Sequence, residues 1–223
     1  RTIMIIPNES ISFFISFFAV AVIAGLALVA ALLARKSKPP THGIPPEKLA
    51  GKRGEARATL LLSKHLQEGD VLLTNISFEY EGRSAELDNV VINEYGVFII
   101  EVKNYVGELC GGEDDYEWKK LKITDAGNVY VKTVKNPIKQ VKRQVYLLAQ
   151  HLRRYGIDVW INGYALLLGD NSPVDSDMIL TTESDFSRIL HTSRRQRLSR
   201  ATIQRVCDLL FASEDAPCDS HQI

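Results

Sequence analysis

The alternation of apolar and polar residues is most regular in the middle of the chain. Two β-type runs, Leu87 to Ile92 and Val97 to Val102, flank the turn-forming residues Asn93 and Gly96. This pattern predicts an antiparallel hairpin. Both runs are apolar enough to be central strands of a sheet, so the charged residues that interrupt them call for an explanation.

Further periodic segments surround this hairpin. Apolar residues at helical spacing predict helices, and short β-rich runs between turn residues predict strands. The predicted helices are Glu47 to Gln67, Pro137 to about Tyr155 and Ser193 to Phe211, and the further strands are Val71 to Phe78, Leu121 to Thr124, Val129 to Val134, Val159 to Leu168 and Met178 to Thr182. This order predicts one α/β domain over residues 47–212, with a mixed sheet covered by helices and a loose tail over residues 213–223.

An uncharged apolar segment precedes this domain. Ile11 to Leu33, at about 1.5 Å per residue, is long enough to cross a bilayer and predicts a single transmembrane helix. A cleaved signal peptide is the alternative, but its apolar core is shorter and follows basic residues. Here Arg35, Lys36 and Lys38 come after the span, which predicts a cytoplasmic C-terminal domain. The proline-rich residues 34–46 predict a stiff linker.

The charges in the hairpin fall into a pattern when its strands are paired. If Asn93 faces Gly96, the numbers of facing residues sum to 189, and Asp88 lies opposite Glu101. Because strand side chains alternate, Lys103 shares the face of Glu101. Two opposed carboxylates destabilise a ladder unless a cation neutralises them. The pair therefore predicts a site for one divalent metal ion.

Two alternatives to this metal site are open. In the first, the same pairing sets Glu86 opposite Lys103 as a salt bridge, and the two facing acids lie at a solvated strand end. In the second, Gly96 takes a left-handed conformation and adds a bulge, which shifts the pairing by one residue and sets Asp88 opposite Val102.

Composition narrows the function class. The 223 residues carry 27 basic and 27 acidic side chains, and the three cysteines form no CxxC pair. This usage argues against a disulfide framework and a zinc ribbon, and it fits a reducing compartment. The histidines show no metal-ligand spacing. The chain has no Walker loop, nucleophile elbow or dinucleotide fingerprint, so no small-molecule organic cofactor is predicted.

Motifs on both sides of the hairpin extend the pattern. They are Gly51-x-x-Gly54-Glu55, Leu87-Asp88-Asn89-Val90-Val91, Gly96-Val97-Phe98-Ile99-Ile100-Glu101-Val102-Lys103-Asn104-Tyr105, Gly107, Trp118 and Asn136-Pro137-x-x-Gln140. On these residues the chain resembles the nuclease-related domain (NERD) family of the PD-(D/E)xK nuclease superfamily. Where family members commonly have His after the Asp, this chain has Asn89.

The resemblance implies a restriction-endonuclease-like fold that hydrolyses phosphodiester bonds with Mg²⁺ or Mn²⁺. By the same resemblance, Asp88 and Glu101 would be metal ligands, with Glu55 as a further acid from the first helix. Lys103 would lie beside the attacking water, and Gln140 would be an accessory group.

Two of these residues have ordinary structural explanations as well. Glu55 suits the start of a helix, where an acid is favoured by the helix dipole. Gln140 and Gln144, four residues apart, suit a solvated ridge on the second long helix.

Basic side chains indicate where a substrate would bind. One cluster consists of Lys132, Lys135, Lys139, Lys142 and Arg143. It can follow a phosphate backbone or be a solvated helix face, and a chain without net charge favours neither. A second cluster, Arg194, Arg195, Arg197 and Arg200, is better explained as a solvated surface.

Two functions are consistent with the sequence. The first is a membrane-anchored, metal-dependent nuclease acting on DNA or RNA, and a homodimer would fit it because many nucleases cut both strands as dimers. The second is a noncatalytic membrane-tethered adaptor for nucleic acid or protein, since proteins that share a fold need not share an activity.

Overall fold

The structure is a computed structural model that describes residues 46–123, 127–192 and 197–214. The described chain contains four helices and eight strands. They are α1 (Pro46–Ser63), β1 (Val71–Tyr80), β2 (Arg83–Asn93), β3 (Gly96–Lys103), β4 (Glu108–Cys110), β5 (Glu117–Ile123), β6 (Val129–Lys135), α2 (Pro137–Arg154), β7 (Ile161–Leu167), β8 (Ile179–Leu180), α3 (Ser184–Leu190) and α4 (Arg200–Glu214).

Five of the strands form a mixed sheet in the order β1-β2-β3-β7-β8. The first three are antiparallel, and β7 and β8 continue the sheet parallel to β3. The crossover from β3 to β7 contains α2 and a separate antiparallel sheet, β4-β5-β6. The predicted mixed α/β architecture is confirmed, and the small second sheet is a feature that the prediction did not contain.

Helices cover both faces of the main sheet. Leucines of α2 and the apolar side of α4 pack on one face, together with Val97 and Ile99 of β3. Residues of α1 and α3 pack on the other face against Phe98, Ile100 and Val102. The alternation along β3 therefore separates two cores.

The turn between β2 and β3 has the predicted register. Asn93 pairs with Gly96, and the ladder continues with the same sum to Asn89 and Ile100, so the bulged alternative is wrong. The Asn93 side chain fixes the turn, because its oxygen accepts from the Tyr95 backbone amide and its amide donates to the Leu190 carbonyl. Gly96 has a φ of 146°, which a residue with a Cβ rarely adopts.

The last helix differs from its prediction. It was expected from Ser193, but residues 197–199 are not helical and α4 begins at Arg200. The Ser199 hydroxyl accepts a hydrogen bond from the Thr202 backbone amide, which is the contact of an N-cap. Residues 193–196 lie outside the described residues.

Several predictions concern parts of the chain that the structure does not describe. The transmembrane segment Ile11 to Leu33, most of the linker over residues 34–46 and the tail from residue 215 lie outside the described residues. Among the helices that are described, none combines the length and apolar character that crossing a membrane requires.

Candidate functional site

The regular strand pairing of β2 is interrupted at Asp88. The β1–β2 ladder has one gap, at Asn75 and Asp88, and Asn75 takes a positive φ of 55°. Leu87 and Val90, on the two sides of the gap, pack into the same core, so the strict alternation of β2 is interrupted here. The gap frees Asp88 from regular pairing at the point where β2 separates from β3.

The Asp88 carboxylate bridges the two strands where their ladder ends. The predicted pairing with Glu101 would be the next rung after Asn89 and Ile100, but the ladder stops before it. Instead, Asp88 Oδ2 accepts a hydrogen bond of 2.7 Å from the Val102 backbone amide. Burial, followed by the nearby Glu101 carboxylate, raises the pKa of Asp88 to about 6. The two acids are thus close enough to interact, as the register predicted.

Glu101 is the buried centre of the site, with 2% of its surface exposed. Its Oε1 accepts from Lys103 Nζ at 2.5 Å and from Gln140 Nε2 at 2.6 Å, and its Oε2 accepts from Gln144 Nε2 at 2.6 Å. Burial by itself would lower the pKa of Lys103, but the contact with Glu101 outweighs it and raises this pKa. The alternative of a solvated strand end is therefore wrong.

The Glu86–Lys103 salt bridge is also wrong. Glu86 is exposed, pairs with Ser77 of β1 and offers its backbone carbonyl to Gln144. Lys103 makes its ion pair with Glu101, two residues away on the same face of β3. Glu86 and Lys103 are not partners because the regular β2–β3 pairing ends at Asn89 and Ile100.

Helix α2 brings two glutamines to the buried carboxylate. Gln140 and Gln144 both donate to Glu101, so they are not a solvated ridge, and Gln144 is a site residue that sequence reasoning missed. Its signal was the four-residue spacing from Gln140. A Cβ on Gly163 of β7 would lie only 2.4 and 2.5 Å from the side chains of Val141 and Val145. The glycine therefore allows the close helix–sheet approach that this contact requires.

The Asn-Pro element fixes the start of α2. Asn136 Oδ1 accepts from the Ile138 amide as the N-cap, and Pro137 follows at the first helical position. The Asn136 side-chain amide donates to the carbonyls of Gly112, Glu113 and Asp115. One buried asparagine thus ties the loop before β5 to the helix that carries the two glutamines.

Glu55 lies near the site because the neighbouring Gly54 allows α1 to approach the end of β3 closely. A Cβ on Gly54 would lie 2.9 Å from the Cβ of Asn104, and the Asn104 amide donates to the Ala50 carbonyl. The end of β3 and α1 are therefore in close contact. Glu55 is half-buried and contributes to the raised pKa of Asp88, though less than burial and Glu101 do.

Asn89 points away from this site, as its position after Asp88 predicted. It is buried, and its side-chain oxygen accepts from the Thr59 hydroxyl of α1. The residue that stands where family members commonly have histidine is thus a contact between β2 and the helix on the other face.

Comparison with known proteins shows the family of the chain. The sequence model of the nuclease-related domain matches residues 50–168, which is more than half of the chain. The chain belongs to the NERD family. An uncharacterized protein of Bacillus anthracis, pXO1-01, is 36% identical over 94 residues, which cover 42% of this chain and 43% of that protein. The match thus spans less than half of that relative. No solved structure matches this NERD chain.

The donor set of this NERD site suits a hard cation with two protein carboxylates. Within the described residues, Val102 N is the only group that donates a hydrogen bond to Asp88, which leaves its second oxygen available. Glu101 keeps lone-pair capacity on Oε2, which accepts one hydrogen bond. Mg²⁺ is commonly held by one or two carboxylates with water and substrate oxygens. Burial, and after it the Glu101 carboxylate, raises the pKa of Asp88, and a cation bound by the two acids would favour their charged forms.

A third protein acid is not brought into this set. The described residues contain no group of three His, Cys, Asp or Glu side chains placed to hold one ion. Glu55 as a metal ligand therefore stays a prediction.

Several residues of the predicted basic clusters have partners within the domain. Lys139 and Lys142 pair with Asp114 and Glu113, and Arg143 donates to the Ser84 carbonyl. Of the second cluster, Arg194 and Arg195 lie outside the described residues. Arg197 pairs with Glu94 of the β2–β3 turn and lies over the ring of Tyr95.

Proposed function

We propose that this NERD protein is a metal-dependent nuclease with a restriction-endonuclease-like core. The observation that supports this most is the gathering of Asp88, Glu101 and Lys103 where β2 leaves β3. The buried Glu101 carboxylate is held by three donors, but Asp88 is buried beside it and has a raised pKa. Keeping both acids ionised therefore costs folding free energy that a purely structural role does not require.

In this proposal the side chains of the site orient the attacking water and balance the charge on the phosphate. Lys103, held by Glu101, would orient the attacking water or offset the negative charge that develops on the phosphate. Gln140 and Gln144 would fix the rotamer of Glu101, so that its free lone pair points towards the cation.

Asp88 and Glu101 would hold Mg²⁺ or Mn²⁺. A bound cation would neutralise phosphate charge and lower the pKa of a water molecule. The donors are oxygens of two carboxylates, which is the type and number that Mg²⁺ accepts.

Cleavage assays on the full chain, purified in mild detergent, would test this function. With Mg²⁺ or Mn²⁺, we expect hydrolysis of labelled duplex DNA, single-stranded DNA or RNA. Asp88→Ala and Lys103→Ala should each lower the rate by about a hundredfold or more, because the first removes a proposed ligand of the cation and the second removes a positive charge beside the phosphate.

Matched controls are Asp158→Ala and Lys64→Ala, whose side chains are exposed and lie in weak surface ion pairs. These should leave the rate unchanged. Activity that survives both site substitutions would contradict the nuclease. Salt-sensitive binding without metal-dependent turnover on any of the three substrates would instead support the noncatalytic adaptor.

The place of this activity in the cell is part of the proposal. We propose that residues 11–33 anchor the chain in a membrane once, with the NERD domain in the cytoplasm. Arg35, Lys36 and Lys38 after the segment support this orientation.

A further inference from the structure

The small sheet has two faces of different charge. In β5 and β6, Lys120 pairs with Lys132 and Lys122 pairs with Tyr130, and alternation puts all four on the face that also carries Trp118. We call this the basic face. The two acids of the three strands, Glu108 and Glu117, lie on the opposite face, beside Lys119 and Lys135.

The base of the basic face is anchored in the domain. Leu109, Trp118 and Val134 pack there against the first turns of α2 and against β7. Trp118 is fully buried, and its indole N–H donates to the Gly112 carbonyl. Further along the strands the same face leaves the core, since Lys122 and Lys132 are exposed and Tyr130 is 59% exposed.

The basic face begins at the candidate site. Lys120 Nζ lies 5.9 Å from the centre of the Tyr105 ring, and Tyr105 is two residues after Lys103. The Tyr105 hydroxyl donates to the Lys135 carbonyl at 3.4 Å, which joins the end of β3 to β6. A row of positive charge therefore extends outwards from the acids and the lysine of the site.

The arrangement matches a partner with repeated negative charge. Lys120 directly faces Lys132 across the ladder, and Lys122 follows two residues further along the same face. A polyanion carries a negative charge at each phosphate, and a tyrosine on the same face offers a ring for base stacking. A folded protein partner with scattered charges would not match a row of one sign.

We propose that the basic face of β5 and β6 binds the phosphodiester backbone of the nucleic acid and leads it to the site at Asp88, Glu101 and Lys103. The inference rests on the proposed nuclease function and adds the surface that holds the substrate outside the reacting bond. Lys120, Lys122 and Lys132 contact phosphates, and the Tyr130 ring lies against the bases of the nucleic acid.

The test compares two double substitutions that change the charge equally on the same two strands. K120Q/K132Q alters the basic face, and K119Q/K135Q alters the opposite face. Binding of the full chain to labelled duplex DNA, single-stranded DNA and RNA of one length is measured by fluorescence anisotropy in EDTA, which prevents cleavage, over a series of salt concentrations. Thermal melts establish that both variants fold.

K120Q/K132Q should weaken binding at least tenfold at about 0.1 M salt and reduce the slope of log K against log salt by about 2, because each lysine neutralises one phosphate. K119Q/K135Q should bind like the unchanged chain. Weaker binding confined to one of the three nucleic acids also supports the inference and identifies the preferred substrate.

Two negative outcomes have different meanings. If both doubles lose affinity equally, or neither does, the basic face is not the binding surface, although the nuclease proposal stands on its cleavage assay. If the unchanged chain binds none of the three nucleic acids in EDTA, this inference is contradicted, and the cleavage assay with metal decides the proposed function separately.

Discussion

At the scale of single residues, the two carboxylates of the site are in opposite situations. Glu101 is buried but accepts hydrogen bonds from three donors, one of them a cation. Asp88 accepts one backbone amide, and its burial and its neighbour Glu101 raise its pKa to about 6. Removing the charge of one acid should therefore have the opposite effect on stability from removing the charge of the other.

We expect Asp88→Asn to stabilise the metal-free protein at pH 8 and Glu101→Gln to destabilise it. Asparagine can still accept from Val102 N, and it removes the cost of holding a buried charge next to Glu101, which is up to roughly 3 kcal/mol at about 1.4 kcal/mol per pKa unit. A glutamine at position 101 would set its own amide against three donors, at a cost of about 3 kcal/mol, the lower end for breaking a buried ion pair. Denaturant unfolding measures both changes.

The pH dependence of this difference follows from the raised pKa. Below about pH 4 Asp88 is protonated whether the chain is folded or unfolded, and it causes no penalty. Between the ordinary aspartate value and about 6 the unfolded chain loses the proton first, so the unchanged protein loses stability relative to Asp88→Asn as the pH rises. Above pH 6 the difference stays constant.

Mg²⁺ provides the control for this pair. It should raise the melting temperature of the unchanged protein at pH 8 and have a much smaller effect on Asp88→Asn, which lacks one of the two proposed ligands. A stability difference that does not vary between pH 4 and 8 would contradict the electrostatic explanation.

At the scale of secondary-structure elements, glycines set how closely helices approach the site. Gly51 and Gly54 lie one turn apart in α1, but only Gly54 is in close contact with the end of β3. A Cβ at position 51 would have one neighbour, at 3.9 Å, whereas at position 54 it would lie 2.9 Å from Asn104 Cβ and 3.3 Å from Leu168 Cδ1. The helix can therefore accept a side chain at one position and not at the other.

We expect Gly54→Ala to destabilise the protein by roughly 1 to 3 kcal/mol, because it overpacks the contact between α1 and β3. It should also lower nuclease activity, since Glu55 moves with the helix. Gly51→Ala is the matched control and should stabilise by about 0.5 to 1 kcal/mol, the ordinary effect of alanine in a helix. Urea unfolding and cleavage rates of the two variants test this prediction. Equal changes in stability and rate for both variants would exclude a specific role for Gly54.

Elements were predictable from the sequence where their periodicity was strong. The hairpin, α2 and β7 have long apolar patterns and were found close to their true bounds. Helix α3 has seven residues, too few for a helical period to stand out, and it was missed. In β5 and β6 most side chains are exposed, so their pattern does not reveal that they form a sheet of their own.

The part of the site that depends on strand register was predictable from the sequence. The register placed Asp88 near Glu101 and Lys103 beside Glu101. It did not reveal the gap at Asn75, because a positive φ at one asparagine depends on the strands around it. Gln144 was missed for a related reason: whether a glutamine faces water or a buried carboxylate is decided by how closely α2 approaches β7.

At the scale of the whole molecule, a chain with no net charge keeps its charges separated. The acids of the site, the lysines of the basic face and the basic residues after the apolar segment each occupy a distinct part of the sequence. Affinity for a polyanion can therefore arise from one surface although the formal charges cancel.

The proposed membrane orientation can be tested with reporters fused after Lys38 and at the C-terminus. We expect both to report the cytoplasmic side, and the protein to stay in the membrane fraction after a high-salt wash, because an apolar span is held by hydrophobic burial rather than by charge. Replacing Arg35, Lys36 and Lys38 by glutamine should weaken the orientation. Release of the protein by salt would contradict the anchor.

The position of the small sheet within the crossover has a consequence for how such a protein can diversify. The chain leaves β3 at Lys103 and returns at β7 only after β4, β5, β6 and α2. The outer ends of β5 and β6 contribute nothing to the main ladder, while Trp118 and Asn136 hold their inner ends in place. The hairpin can therefore be lengthened, shortened or given other charges without shifting the register that brings the acids together. The outer half of this hairpin can therefore vary in sequence and length while the site residues stay the same.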